Sequence, residues 1–128
     1  MPRRESLYHR FPDYTVDLEP NPGRVHVTLD SVTIADTDRA VRVLETKHEP
    51  VVYLPIDDLR LEYLVRTDHE TFCPFKGEAR YWSIRVGDRV EENAVWTYED
   101  PFDEVAALKG YAAFYSDRPE LVQEVDGA

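Results

Sequence analysis

Cysteine occurs once in this chain, as Cys73. A single thiol excludes an internal disulfide and any zinc cage built from paired thiolates of one chain. Glycine is scarce as well, five residues in 128, and none of it builds a Gly-rich phosphate loop. No apolar run approaches the length of a membrane span. The opening Pro2-Arg3-Arg4-Glu5 is basic but leads into no apolar stretch of the signal-peptide kind. Bases are in deficit, 15 against 26 acids, for a formal charge of −11. Such a field repels phosphate backbones and anionic bilayers, so neither nucleic acid nor membrane is expected as a partner. These absences describe a cytoplasmic protein for which no metal and no cofactor is expected.

What is present is a chain of one-domain size with a globular hydrophobic content of 42% and an aromatic content of 12%. Residues 1–23 carry several prolines and end in the breaker cluster Pro20-Asn21-Pro22-Gly23. Leu7, Tyr8, Phe11, Tyr14 and Val16 suit a packed arm, with regular structure beginning at Arg24. Val25, Val27 and Leu29 alternate with polar residues, as in a half-buried strand. A turn at Asp30-Ser31 leads to a strand over 32–35, and a second turn at Asp36-Thr37-Asp38 to one over 41–45. Residues 51–54 form the next strand. Strands at this spacing, joined by short polar turns, predict an antiparallel meander.

Pro55 to Asp58 has the proline and acids of a helix start, and one helical turn is expected between Leu59 and Val65. Arg66 to His69 reads as a loop. From Arg80 to Val86 the alternation is clean, with Arg80, Trp82, Ile84 and Val86 on one face and Tyr81, Ser83 and Arg85 on the other. Gly87-Asp88 makes a hairpin turn, and 94–98 is a strand with Trp96 and Tyr98 on one face. The longest helix is expected between Pro101 and Lys109, where acids open it and Gly110 closes it. Residues 111–115 form a last strand. The domain thus spans 24–118, and 119–128 form an acidic tail expected to fray. The count is seven or eight strands and one or two short helices, so the expected class is mainly β.

Candidate chemistry concentrates in Thr71 to Trp82, TFCPFKGEARYW. Cys73 and Lys76 lie three residues apart in a turn fixed by Pro74 and Gly77. Cys73 is a candidate nucleophile if Lys76 or His69 lowers its pKa; the plainer reading is a small buried hydrophobe. Lys76 could clamp an anionic group, or hold the turn by pairing with Glu45, Asp58 or Glu78. Glu45, closing an apolar strand, belongs at a sheet rim as a base or ligand-orienting acid. With Asp58 it would make half of a divalent-metal site, although Asp58 also suits a helix first turn. His9, His26 and His48 show no ligand spacing. Tyr53, Trp82, Trp96 and Tyr98 are the aromatics assigned to a ligand cage beside Lys76 and Glu45. The turn from Thr71 to Ala79 is expected to border the main pocket together with Glu45, Tyr53 and Trp96.

Several segments together resemble a known family. They are Ile34-Ala35-Asp36-Thr37 with Ala40, Leu44-Glu45-Thr46, and Tyr53-Leu54-Pro55 with Asp58. Thr71 and Cys73-Pro74-Phe75-Lys76-Gly77 follow, then Ala79-Arg80-Tyr81, Trp96-Thr97-Tyr98 with Pro101, and Gly110-Tyr111-Ala112-Ala113-Phe114-Tyr115. In order and spacing they resemble domain-of-unknown-function family 427, also filed under a nucleotidyltransferase-type heading. The resemblance implies a β-tent or Mss4-like fold, two antiparallel sheets meeting at an angle. Relatives of that class often hold zinc on paired Cys-x-x-Cys knuckles, a set this chain does not have. Nor does it show the Gly-Ser pair and spaced aspartates usual in nucleotidyltransferases. Three functions follow as expectations. The leading one is a module binding a small planar or anionic ligand between aromatic walls. The second is a small enzyme, nucleotidyltransferase-like or dependent on Cys73. The third is a structural partner without a ligand.

Overall fold

The computed structural model describes residues 5–118 and 120–125. Ten strands run in chain order: β1 (Val16–Pro20), β2 (Val25–Leu29), β3 (Val32–Thr37), β4 (Val41–Glu45), β5 (Val51–Pro55), β6 (Leu64–Cys73), β7 (Gly77–Val86), β8 (Arg89–Tyr98), β9 (Tyr111–Phe114) and β10 (Leu121–Val125). They form two antiparallel sheets, a large one in the order β1-β4-β5-β9-β8-β7-β6 and a small one in the order β10-β2-β3. The mainly β, two-sheet expectation holds. No helix among the described residues is long and apolar enough to cross a membrane.

The large sheet has two buried faces, and they differ. One packs against the small sheet. Val25, Val27 and Leu29 of β2, with Ile34 and Ala35 of β3, meet Leu54, Ile84, Val95, Ala112 and Phe114 there. The period-two pattern of β2 sends every second side chain inward, and its three apolar residues are fully buried. At the β2–β3 turn Asp30 and Ser31 take φ of 49° and 68°, the left-handed pair that suits a two-residue hairpin. The other face of the large sheet gathers Val43, Tyr53, Ala79, Tyr81, Tyr98 and Ala113 under Phe102, Val105 and Leu108. In β7 the two faces separate as the alternation predicts. Trp82, Ile84 and Val86 join the first core, and Ala79 and Tyr81 the second.

Several local expectations are corrected. Regular structure begins before Arg24, because β1 pairs with β4 from Val16↔Glu45 to Pro20↔Val41. Leu121 to Val125 does not fray but pairs with β2; residues 126–128 of the expected tail, and Pro2 to Arg4 of the basic N-terminus, lie outside the described residues. Asp36 and Thr37 extend β3 instead of turning, Asp36 being held by Arg24 at 2.7 Å. Arg66 to His69 lie within β6, where the register with β7 shifts between Arg66 and Glu70. β6 is the outer strand of the large sheet, and an edge strand with a bulge keeps polar side chains in water, so it reads as a loop. A 3₁₀ turn at Leu61–Tyr63 then gives way directly to β6.

The longest helical element does fall between Pro101 and Lys109, but it is 3₁₀ over Asp103–Leu108, with a break at Val105 (φ −129°, ψ 33°). Six residues are too few to sustain an α-helix without packing. A three-residue repeat instead puts Val105 and Leu108 on the same buried side.

Candidate functional site

The turn Pro74–Lys76 joins the ends of β6 and β7 and is anchored from three directions. The Lys76 N–H donates to the Cys73 carbonyl at 3.3 Å, the Lys76 carbonyl accepts from Phe102 N–H at 3.0 Å, and the Pro74 carbonyl accepts from Leu7 N–H at 3.1 Å. Gly77 makes the turn geometrically feasible. Its φ is +119°, and a Cβ there would stand 3.3 Å from the Asp100 carbonyl oxygen. The N-terminal segment completes the anchorage. Tyr8 Oη donates to the Phe75 carbonyl at 2.6 Å, and the Tyr14 ring stacks on Phe75 with centroids 3.8 Å apart.

So held, Lys76 extends inward and is only 8% exposed. Its Nζ donates to Glu45 Oε1. Glu45 stands where β4 ends, as its place after an apolar strand predicts, with Oε2 accepting from Tyr14 Oη. His48 Nε2 lies 3.9 Å from the same oxygen. Burial taken alone pushes the Glu45 carboxyl up. The hydrogen bonds from Lys76 and Tyr14 and the ammonium charge outweigh it and hold the group below the ordinary range.

A cavity of about 640 Å³ opens over this pair, within the size range of small-ligand sites. Tyr53, Tyr81, Trp96, Tyr98 and Tyr115 supply aromatic wall, Cys73 and Phe75 line the turn side, and His48 and Glu49 are among the other lining residues. The wall is cross-braced: Trp96 Nε1 donates to Tyr53 Oη at 3.1 Å, and the Tyr81 and Thr71 hydroxyls are 2.9 Å apart. The Trp96 and Tyr115 rings lie 4.7 Å apart at 49°. Burial, first among several causes, raises the phenol pKa of Tyr53 and Tyr98 well above the usual value, so both stay neutral.

Of the residues singled out in the sequence, Cys73, Lys76, Glu45, Tyr53, Trp96 and Tyr98 come together around this one cavity. Trp82 does not. It packs toward the aliphatic core on the opposite face of β7, with the Arg66 guanidinium 5.6 Å from its ring centroid. Asp58 also stands apart from the cavity, accepting from Thr37 Oγ1 at 2.6 Å and from Arg39 at 3.0 Å. It therefore makes no metal pair with Glu45. Among the described residues no three His, Cys, Asp or Glu side chains gather as a metal-holding group.

His69 packs its ring on Tyr81, 4.5 Å between centroids. Tyr14 is the residue that sequence reasoning placed in the arm without a role. No local signal marked it, because its hydrogen bond to Glu45 joins positions 31 apart in the chain.

The two-sheet fold and the turn-centred cavity agree with the motifs quoted above, and the family comparison settles the class. The family model described as "Domain of unknown function (DUF427)" matches residues 17–126, and the chain belongs to that family. A comparison with curated proteins gives no match.

Proposed function

We propose that the protein is a binding module that takes a small planar ligand between the aromatic walls of the Lys76–Glu45 cavity. The observation that carries this reading is a buried ion pair placed at the lining of an aromatic cavity. A structural ion pair needs no cavity beside it, and a core of this size needs no such set of tyrosines around open space. Flat rings stack on Tyr and Trp faces with favourable dispersion and quadrupole terms. The braced hydroxyls and the constrained turn keep the walls in place, so little order has to be imposed on binding. The two-sheet arrangement also suits the β-tent reading of the fold.

The thiol-enzyme reading has less support. Cys73 lines the cavity, but its two proposed activators are engaged elsewhere, Lys76 with Glu45 and His69 with Tyr81. A nucleotidyl transfer reading lacks the carboxylate cluster that would hold a divalent cation among the described residues.

The two tryptophans make the test direct, because Trp96 lines the cavity and Trp82 packs on the opposite face of the sheet. In a screen of flat aromatic compounds followed by ¹⁵N-edited NMR, binders should shift the Trp96 indole N–H and leave that of Trp82 in place. Lys76→Ala should abolish those shifts while also lowering stability by about 3 kcal/mol, since it strands a buried carboxylate. A library-wide absence of Trp96 shifts would end the proposal.

A further inference from the structure

We infer that the ligand of this cavity is uncharged and carries a hydrogen-bond acceptor edge, a flat ring with a carbonyl or carboxamide, and that neither an organic anion nor an organic cation is preferred. The inference rests on the binding reading above and narrows it to a chemical class.

The Lys76 ammonium has three N–H donors, and among the described residues its side chain donates to Glu45. Lys76 lines the cavity and is 8% exposed, so whatever serves its remaining donors reaches them through that cavity. A ligand acceptor is the partner they call for. That acceptor need not be charged, because Glu45 already balances the lysine. An anion bound at Lys76 would stand beside the Glu45 carboxylate, giving two negative groups around one ammonium. The chain's charge of −11 adds to the penalty.

A cation fares no better. The tyrosine faces would attract it, but the inward ammonium repels it, and each Glu45 oxygen already accepts a hydrogen bond, from Lys76 or from Tyr14. Glu49 lines the same cavity but is exposed, so its charge is largely screened by solvent. A neutral acceptor satisfies the lysine without stranding any charge.

Three probes of nearly the same size and shape separate the classes: benzamide, benzoate and benzamidinium. Titrated into the intact protein at pH 7 with the Trp96 indole as reporter, benzamide should bind at least about tenfold more tightly than either ion. Tighter binding of benzoate, tighter binding of benzamidinium, or equal binding of all three would each overturn the inference and leave the binding reading standing. Failure of all three, and of every other flat compound, to move Trp96 would overturn the binding reading itself.

A charge variant checks the cause. Glu45→Gln leaves Lys76 uncompensated, so the preference should swing at least about tenfold toward benzoate. No swing in a folded Glu45→Gln protein would show that the pair does not set the selectivity. If that variant does not fold, the wild-type ranking still decides.

Discussion

The two faces of the large sheet are built from the same strands and differ in nearly every other respect. Toward the small sheet the side chains are aliphatic and close-packed, with Val25, Val27, Leu29, Ile34, Leu54 and Ile84 at 0% exposure. On the other face a second buried cluster, with Val43, Val105 and Leu108, gives way toward the turn Pro74–Lys76 to tyrosine, tryptophan, lysine and glutamate around a cavity of about 640 Å³. Neighbouring residues fall on opposite sides: Leu54 belongs to the first face and Tyr53 to the second. Packing density is what stabilises a fold, and a face that forgoes it for polar groups and empty space is arranged for something else. In the binding reading proposed above, the first face supplies stability and the second recognition.

The largest effect should come from cutting into the aliphatic face. Ile34→Ala removes a fully buried side chain between the sheets and should lower stability by about 4 kcal/mol. Equilibrium urea unfolding measures it. The ¹⁵N shifts of Trp96 and Lys76 should be unchanged in the folded fraction, because Ile34 belongs to the other face. If the cavity resonances move as far as those around Ile34, the two faces are one cooperative core and the division fails.

A smaller effect is expected at the hinge of the recognition face. Gly77→Ala forces a Cβ onto φ +119° and to within 3.3 Å of the Asp100 carbonyl oxygen. Backbone atoms cannot swing aside as a side chain can, so the loss should be about 2 kcal/mol. Because the strained turn carries Lys76, probe binding should weaken together with stability. Unchanged binding in Gly77→Ala would mean that the turn's shape does not set the position of Lys76.

The aliphatic face was the more legible of the two in the sequence, for a physical reason. Alternation along β2, β7 and β8 is a local property, and each strand declares its buried side by itself. The hairpin turns at Asp30-Ser31 and Gly87-Asp88 were equally local. What failed was decided at a distance. β1 and β10 are short and punctuated by polar residues or proline, and only their partners β4 and β2 make them strands. Arg66 to His69 look like a loop because an edge strand need not alternate.

In the candidate site, Cys73, Pro74, Lys76 and Gly77 were visible as a compact motif, and an acid at the end of β4 was a natural partner. Trp82 was misassigned because an aromatic inventory does not distinguish the faces, although its even position in β7 already set it apart from Tyr81. Tyr14 was invisible as a site residue, since its contact with Glu45 joins positions 31 apart in the chain.

The finest test of the comparison is pH. Glu45 is held below the ordinary carboxylate range, by Lys76 and Tyr14 acting against its burial. A depressed folded-state pKa contributes stability that is complete above the unfolded value and is lost as pH falls through the folded one. The recognition face should therefore weaken in acid through Glu45, whereas the Ile34 side chain has no charge to lose. Tyr14→Phe keeps the ring stack on Phe75 and deletes only the hydroxyl that donates to Glu45. Near pH 7 it should lower stability by about 1 kcal/mol.

That difference from wild type should shrink as the pH falls below the ordinary carboxylate range and Glu45 takes up its proton. The difference produced by Ile34→Ala should stay flat over the same range. Asp36, Asp58, Glu91 and Glu99 are also held low by arginine or hydroxyl partners. Their losses are common to wild type and variant and cancel in the comparison. Urea unfolding of the three proteins from pH 7 to pH 3 gives the curves. Parallel lines for Tyr14→Phe and wild type would show that the Tyr14 hydroxyl has no hold on the charge of Glu45.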